Sequence, residues 1–131
     1  MPLPKEAVTA VVAEASKKMS DPNYAAVLVG GFVQTQSAIT QYSSAHDVEL
    51  GGADAIVNVV FHAALIAQCY QRGTGRSPRV ASFDDLDRAA GGDSLALLAQ
   101  LQPFLHGFID ENVADPEAKR VLALIALALD R

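Results

Sequence analysis

The sequence predicts an all-α fold, a compact bundle of five to six helices in a single helical domain over residues 1–131, with no significant β-sheet. Apolar residues recur with the helical period of about 3.6 along most of the chain, and no stretch alternates as a β-strand does. Helix start and stop signals separate these apolar stretches. A chain of 131 residues that is 50% hydrophobic is long enough to bury one core.

The first two helices are predicted at residues 5–19 and 22–46. The first has its valines along one face and two lysines in its last turn, where cations favour a helix C-terminus. Asp21 before Pro22 is typical of an N-cap followed by the first helical residue. Gly30 and Gly31 in the second helix mark either a break or a close crossing by another helix. The apolar face continues in phase across the pair, which favours the crossing.

A connector is predicted at residues 46–52, followed by a third helix at 53–72. This helix is apolar on most of its circumference. A loop rich in glycine, proline and arginine then occupies residues 73–81.

Three further predicted helices complete the bundle. Ser82 and Asp85 have the spacing of a capping box and predict a short helix at residues 83–90. Asp93 caps a helix at 94–112, in which a proline and a glycine predict a kink. A second Asp-Pro pair starts the last helix, which continues to residue 130. The two Asp-Pro pairs are capping signals and do not indicate an internal repeat.

Charge and cysteine content narrow the classes of function and the compartment. The net charge of −5 and the pI near 5.0 argue against nucleic-acid binding, because such binding needs a positive surface. The single cysteine, Cys69, has no internal disulfide partner, which is typical of a reducing compartment. No signal peptide is evident, and the apolar segments at 55–70 and 121–129 are too short or too interrupted to span a bilayer. We therefore expect a cytoplasmic protein that does not enter membranes.

The polar row on the third helix is the best candidate for a binding site. Asp54, Asn58 and His62 follow one another at spacings of four, which places them on one helix face. Asp54 is explained by the helix dipole at the start of its helix. Together with Tyr42 and His46 of the second helix, Asn58 and His62 are the residues predicted to line an interhelical ligand pocket. The alternative is that they fill the core, with a neighbouring side chain against His62.

Concentrated positive charge occurs only around the loop after the third helix. Its candidate anion-binding residues are Arg72, Arg76, Arg79 and Arg88. Glycine-rich backbone and guanidinium groups suit anions, but no phosphate-loop motif is present. The aspartates between residues 84 and 87 offer ion-pair partners that would neutralise the arginines.

No motif assigns catalysis, a metal or a cofactor. The three histidines are dispersed, no Glu-x-x-His or His-x-x-x-His pair is present, and no nucleophile motif accompanies the serines. Catalytic residues are therefore unknown, the balance is against an enzyme, and neither a metal nor a cofactor is expected. Cys69 is predicted to be an inert buried thiol.

The leading prediction is a small cytoplasmic protein-interaction or regulatory module that associates with itself as a homodimer. Residues 121–129 are apolar around the whole helix, so that this helix is either central in the bundle or shared with a second chain. The first alternative is a small-molecule-binding protein or enzyme with the pocket described above. The second is anion binding through the region of residues 72–88.

Overall fold

A computed structural model describes residues 2–130 of the chain. This part is all-helical and contains no strand, which confirms the predicted fold class. Nine helices are present there in place of the expected five to six. The helices are α1 (Lys5–Lys18), α2 (Pro22–Thr35), α3 (Ser37–Ala45), α4 (Asp47–Leu50), α5 (Ala53–Thr74), α6 (Phe83–Ala90), α7 (Ser94–Leu101), α8 (Pro103–Asn112) and α9 (Pro116–Leu129).

The additional helices arise because two long predicted helices break and the connector forms a turn of helix. Both breaks occur at a glutamine. Gln36 separates α2 from α3 with φ −123° and ψ 57°, and Gln102 separates α7 from α8 with φ −139° and ψ 71°. These dihedral angles lie outside the helical region. The kink expected near Pro103 is therefore a full break, and Pro103 begins the next helix.

The close helix crossing expected at Gly30 and Gly31 is wrong for this chain. A Cβ atom built on either glycine would meet nothing within 4 Å. No neighbouring element of the described chain uses the small size of these residues. The backbone of α2 is exposed to solvent at this point.

Helix α9 is the centre of the bundle. All side chains from Val121 to Ala126 are buried, and Leu129 is buried as well. Helices α4, α5, α6, α7 and α8 all pack against α9. The sequence allowed this apolar helix to be either central in the bundle or shared with a second chain, and in the structure it is central within one chain. It supplies no surface for a second chain, and self-association needs another face.

Helix α5 is the second core helix and lies against α1, α2, α3, α4 and α9. Its 22 residues make it longer than the sequence suggested, and by length and apolar composition alone it could cross a membrane. The same test is passed by core helices of soluble domains, and many apolar residues of α5, among them Ile66, are buried here. The prediction that the chain does not enter membranes stays a prediction.

Two buried glutamines hold together segments that are distant in sequence. Gln36 Nε2 donates to the Arg79 carbonyl at 2.9 Å, and Gln36 Oε1 accepts from the Ala81 N–H at 3.0 Å. Gln102 Oε1 accepts from the Leu3 N–H at 2.7 Å. In both places the side-chain amide pairs with an extended segment that leads into a helix: α6 follows Ala81 and α1 follows Leu3. Each glutamine thus satisfies backbone groups that no helix satisfies.

These contacts reveal that the two halves of the chain repeat one arrangement. In the first half, α1 and the broken helix α2–α3 pack against α5. In the second half, α6 and the broken helix α7–α8 likewise pack against α9. The halves meet through α5 with α9, α1 with α8, and α3 with α6. The glutamine of each half holds the leading segment of the other half. This repeat was not visible in the sequence.

Truncation of a central α9 side chain should destabilise the fold strongly. Leu124→Ala removes a fully buried side chain and leaves a cavity, so we expect a loss of about 2–5 kcal/mol in the free energy of unfolding. Urea denaturation followed by circular dichroism measures it. Val48→Ala, at a valine that is 85% exposed, is the control and should change this free energy by less than about 0.5 kcal/mol. Equal midpoints for the two variants would contradict the central position of α9.

Loss of the Gln36 amide should destabilise the contact between the halves. Gln36→Leu leaves the partly buried Arg79 carbonyl and the buried Ala81 N–H without a partner, which costs about 1–3 kcal/mol. The matched control is Gln34→Leu, two positions earlier, where the glutamine is exposed and makes no side-chain hydrogen bond in the described chain. The same denaturation assay compares both. If Gln36→Leu is as stable as Gln34→Leu, the glutamine does not hold the segment.

Candidate functional site

His62 is held by its own helix and by aromatic neighbours. Its Nδ1 lies 2.8 Å from the Asn58 carbonyl oxygen, and because a carbonyl only accepts, an Nδ1–H donates this bond. The imidazole ring lies against Phe61, with 5.5 Å between ring centroids, and against Phe108 of α8, at 6.0 Å. The side chain that meets His62 from a neighbouring helix is thus Phe108. Asn58 and Asp54 are exposed.

Tyr42 and His46 form a second, separate pair at the end of α3. Their rings stack with centroids 4.3 Å apart, and His46 Nδ1 donates to the Tyr42 carbonyl at 2.8 Å. The pair faces the ion pair of Glu117 and Arg120 in the first turns of α9. The hydrogen bond from Arg120 is the main cause that lowers the pKa of Glu117, and a charge on His46 adds a smaller effect in the same direction.

The four residues predicted to line one pocket therefore fall into two groups. Within residues 2–130 no hydrogen bond, ion pair or ring contact joins the pair Tyr42–His46 to the pair Asn58–His62. In both pairs the bond of the histidine is made to the residue one turn earlier on its own helix. The spacing of four predicted these local neighbours correctly, but convergence of the two pairs on one ligand is not seen.

The arginines around the loop are mostly neutralised. The ion pairs are Arg72–Glu14 at 2.8 Å, Arg79–Asp85 at 2.8 Å and Arg88–Asp85 at 2.9 Å. Of the four candidates, Arg76 alone makes no side-chain ion pair with another residue of the described chain. The aspartate that the sequence offered as a partner thus takes up two of the four guanidinium groups.

Asp85 is the structural centre of this region. Its carboxylate accepts from the Ser82 N–H at 2.9 Å, and its own N–H donates to Ser82 Oγ at 3.1 Å, which confirms the predicted capping box. The bond from the Ser82 N–H is the main cause that lowers the pKa of Asp85; burial opposes it, and Arg79 and Arg88 lower the pKa further. The carboxylate organises the start of α6 and leaves little positive charge free for an anion.

No metal site or reactive nucleophile is found in the described part of the chain. No group of three or more histidine, cysteine, aspartate or glutamate side chains there is placed to hold a metal ion. Cys69 is buried in α5, and burial raises the pKa of its thiol to about 12. A thiol with this pKa stays protonated near neutral pH and is a poor nucleophile.

Several open grooves lie on the surface of the described chain, and two of them are the most apolar. One, of about 430 Å³, lies between α1 and α8. The other, of about 460 Å³, lies beside α2, and we call it the α2 notch. Its floor and walls include Val27, Gly31 and Thr35 of α2, Ala67 of α5 and Val80 of the loop before α6.

The exposure of apolar residues on α2 was not predicted from the sequence. Nine consecutive residues from Ala25 to Val33 are apolar or glycine, yet Phe32 is the one buried residue of this helix. Val27 is 73% exposed. The sequence did contain a signal for an exposed apolar surface, since the whole stretch from residue 22 to 46 carries no lysine, arginine, aspartate or glutamate. Tyr24, Leu28, Val29 and Val33 are partly buried against the core, so the chain covers α2 only in part. An apolar helix that is partly uncovered is typical of an interaction surface.

Comparisons with protein-family models, with curated proteins and with solved structures gave no match.

The contribution of Asp85 to stability should depend on pH. Because the folded state lowers its pKa, this contribution is present above about pH 4, where an unfolded aspartate is ionised, and is lost as the pH falls through the lower folded value. Asp85→Asn should therefore be less stable than the unaltered protein near pH 7, and the difference should narrow below about pH 4. Urea unfolding across this pH range measures it.

Asp87→Asn is the matched control, since Asp87 lies in the same helix, is exposed and makes no ion pair in the described chain. It should show no such difference at any pH. A stability gap for Asp85→Asn that stays constant from neutral to acidic pH would contradict the assigned role.

Proposed function

We propose that this protein is a cytoplasmic, self-associating helical interaction module without catalytic activity, and that the α2 notch is its contact surface. The observation that carries the proposal is the exposure of α2, an apolar helix of which only Phe32 is buried. The polar groups that suggested ligand chemistry are engaged elsewhere, in bonds within their own helices and in ion pairs.

The free energy available at this surface supports association. Full burial of a valine or leucine side chain contributes about 1.5–3 kcal/mol. Val27 is largely exposed, and Leu28 and Val80 line the same notch. Gly30 and Gly31 add no side chain that would hold a partner away, so that a second helix can approach the α2 backbone closely.

Charge supports a second copy of the chain as the partner. The net charge of −5 makes most surfaces of two copies repel one another. Residues 22–46 carry no formal charge, so a second copy that docks at α2 meets no like charge from this helix. We expect association to begin with a dimer at micromolar concentration.

The two alternative functions have weaker support. A small-molecule site around Tyr42, His46, Asn58 and His62 would need both pairs to reach one ligand, and no contact joins them. An anion site would depend mainly on Arg76, since the other three arginines are paired. The cytoplasmic location is supported by the single, unpaired cysteine.

A charge placed in the α2 notch should weaken self-association. Val27→Glu puts a carboxylate where the contact would exclude water, and we expect the dissociation constant to rise at least tenfold. Sedimentation equilibrium from about 1 to 200 μM, within the range where weak dimers of this kind are measured, gives the constant.

The matched control is Val48→Glu, which introduces the same charge at an exposed valine of α4 outside the notch. It should leave the dissociation constant within about twofold of the original value, as expected for a surface change away from the contact. A chain that is monomeric throughout the concentration range would disprove the proposed function. Equal effects of the two substitutions would disprove the place of the contact.

A further inference from the structure

We propose that the α2 notch of one copy receives the α7 ridge of a second copy, where the α7 ridge is the pair of exposed leucines Leu97 and Leu101. This inference rests on the proposed function, because it names the surface of the partner. It goes further in assigning a head-to-tail contact: each copy offers one notch and one ridge, which lie on different helices.

The shape of the notch calls for a convex partner. Gly31 forms part of its wall, and the space above both glycines of α2 is open to at least 4 Å. Two notches placed face to face would enclose an empty space, whose lining atoms would have no contacts across it. Stable interfaces pack as densely as protein interiors. A protruding apolar side chain fills the notch, and a second notch does not.

The α7 ridge has the required form. Leu97 is 45% exposed and Leu101 is 46% exposed, and their spacing of four puts them one above the other on α7. No other helix of the described chain carries two large exposed apolar side chains one turn apart. In the proposed contact both leucines enter the notch between Val27 and Val80 of the partner copy.

Charge and internal repetition both favour this pairing. The stretch from residue 94 to 105 carries no formal charge, as is true of residues 22–46, so ridge and notch meet without repulsion between two acidic chains. Counted back from the glutamine that ends each helix, Gly31 and Thr35 occupy the same positions in α2 as Leu97 and Leu101 in α7. The same face of the helix thus bears a glycine and a small threonine in the first half and two leucines in the second.

Contacts of this kind do not saturate at two copies. A head-to-tail contact leaves a free notch at one end of the dimer and a free ridge at the other, so further copies add until a ring closes or an open series results. The mean mass of the unaltered protein should therefore rise beyond that of a dimer as its concentration increases.

Two complementary variants test the proposal in the full chain. Gly31→Glu blocks the notch and keeps the ridge, while Leu101→Glu blocks the ridge and keeps the notch. Each variant alone should be monomeric, with self-association at least tenfold weaker than in the unaltered protein. Mixed in equal amounts, they should form a 1:1 heterodimer that does not grow, because the remaining notch and ridge are both blocked. Analytical ultracentrifugation with one variant labelled by a fluorophore measures this.

Other outcomes overturn the proposal separately from the proposed function. If Leu101→Glu alone still associates as the unaltered protein does, the ridge is not used and the head-to-tail contact is wrong, whereas loss of association in Gly31→Glu would still support the notch as the contact surface. The same holds if the two variants remain monomers when mixed. If the unaltered protein never associates, both proposals fail. Circular dichroism checks that each variant folds, and Leu97→Glu serves as a second ridge variant with the same expected behaviour.

Discussion

The burial of α9 is the constraint on which the rest of the structure depends. A helix that is apolar on all sides must be surrounded, and five helices each turn a face to it. Asp115 caps its N-terminus through the Ala118 N–H, and the Tyr70 hydroxyl donates to the Ala126 carbonyl at 2.8 Å near its other end. Burial is also the main cause that raises the pKa of Tyr70, so this hydroxyl remains a donor.

The central position of α9 leaves α2 at the edge of the bundle, where it is only partly covered. Helices α4 to α8 surround α9, whereas α2 packs chiefly on α3 and α5 at the outside of the bundle. Part of its apolar surface, Val27 above all, therefore stays exposed. Residues 25–33 share the apolar character of residues 121–129, but they belong to a helix that its chain covers only in part. A run of apolar residues shows that a helix needs cover, but it does not show whether its own chain provides that cover.

Features governed by neighbouring residues could be predicted from the sequence, and features governed by distant contacts could not. The caps at Asp21, Asp93 and Asp115 and the capping box at Ser82 all form as expected, because each involves residues two or three positions apart. The breaks at Gln36 and Gln102 depend on partners 43 to 99 positions away. The same distinction holds for the candidate site. Residues one turn apart are neighbours, as expected, but whether the two pairs meet at one ligand depends on how their helices cross.

The two glutamines also change how the segments outside the helices exchange with water. The N–H groups of Leu3 and Ala81 lie in extended backbone, where amide hydrogens ordinarily exchange with solvent deuterium within seconds to minutes. Each is buried and donates to a glutamine side chain from the other half of the chain. Their exchange requires the two halves to part at that point. Two amides outside any helix thereby report on whether each leading segment stays bound to the other half of the chain.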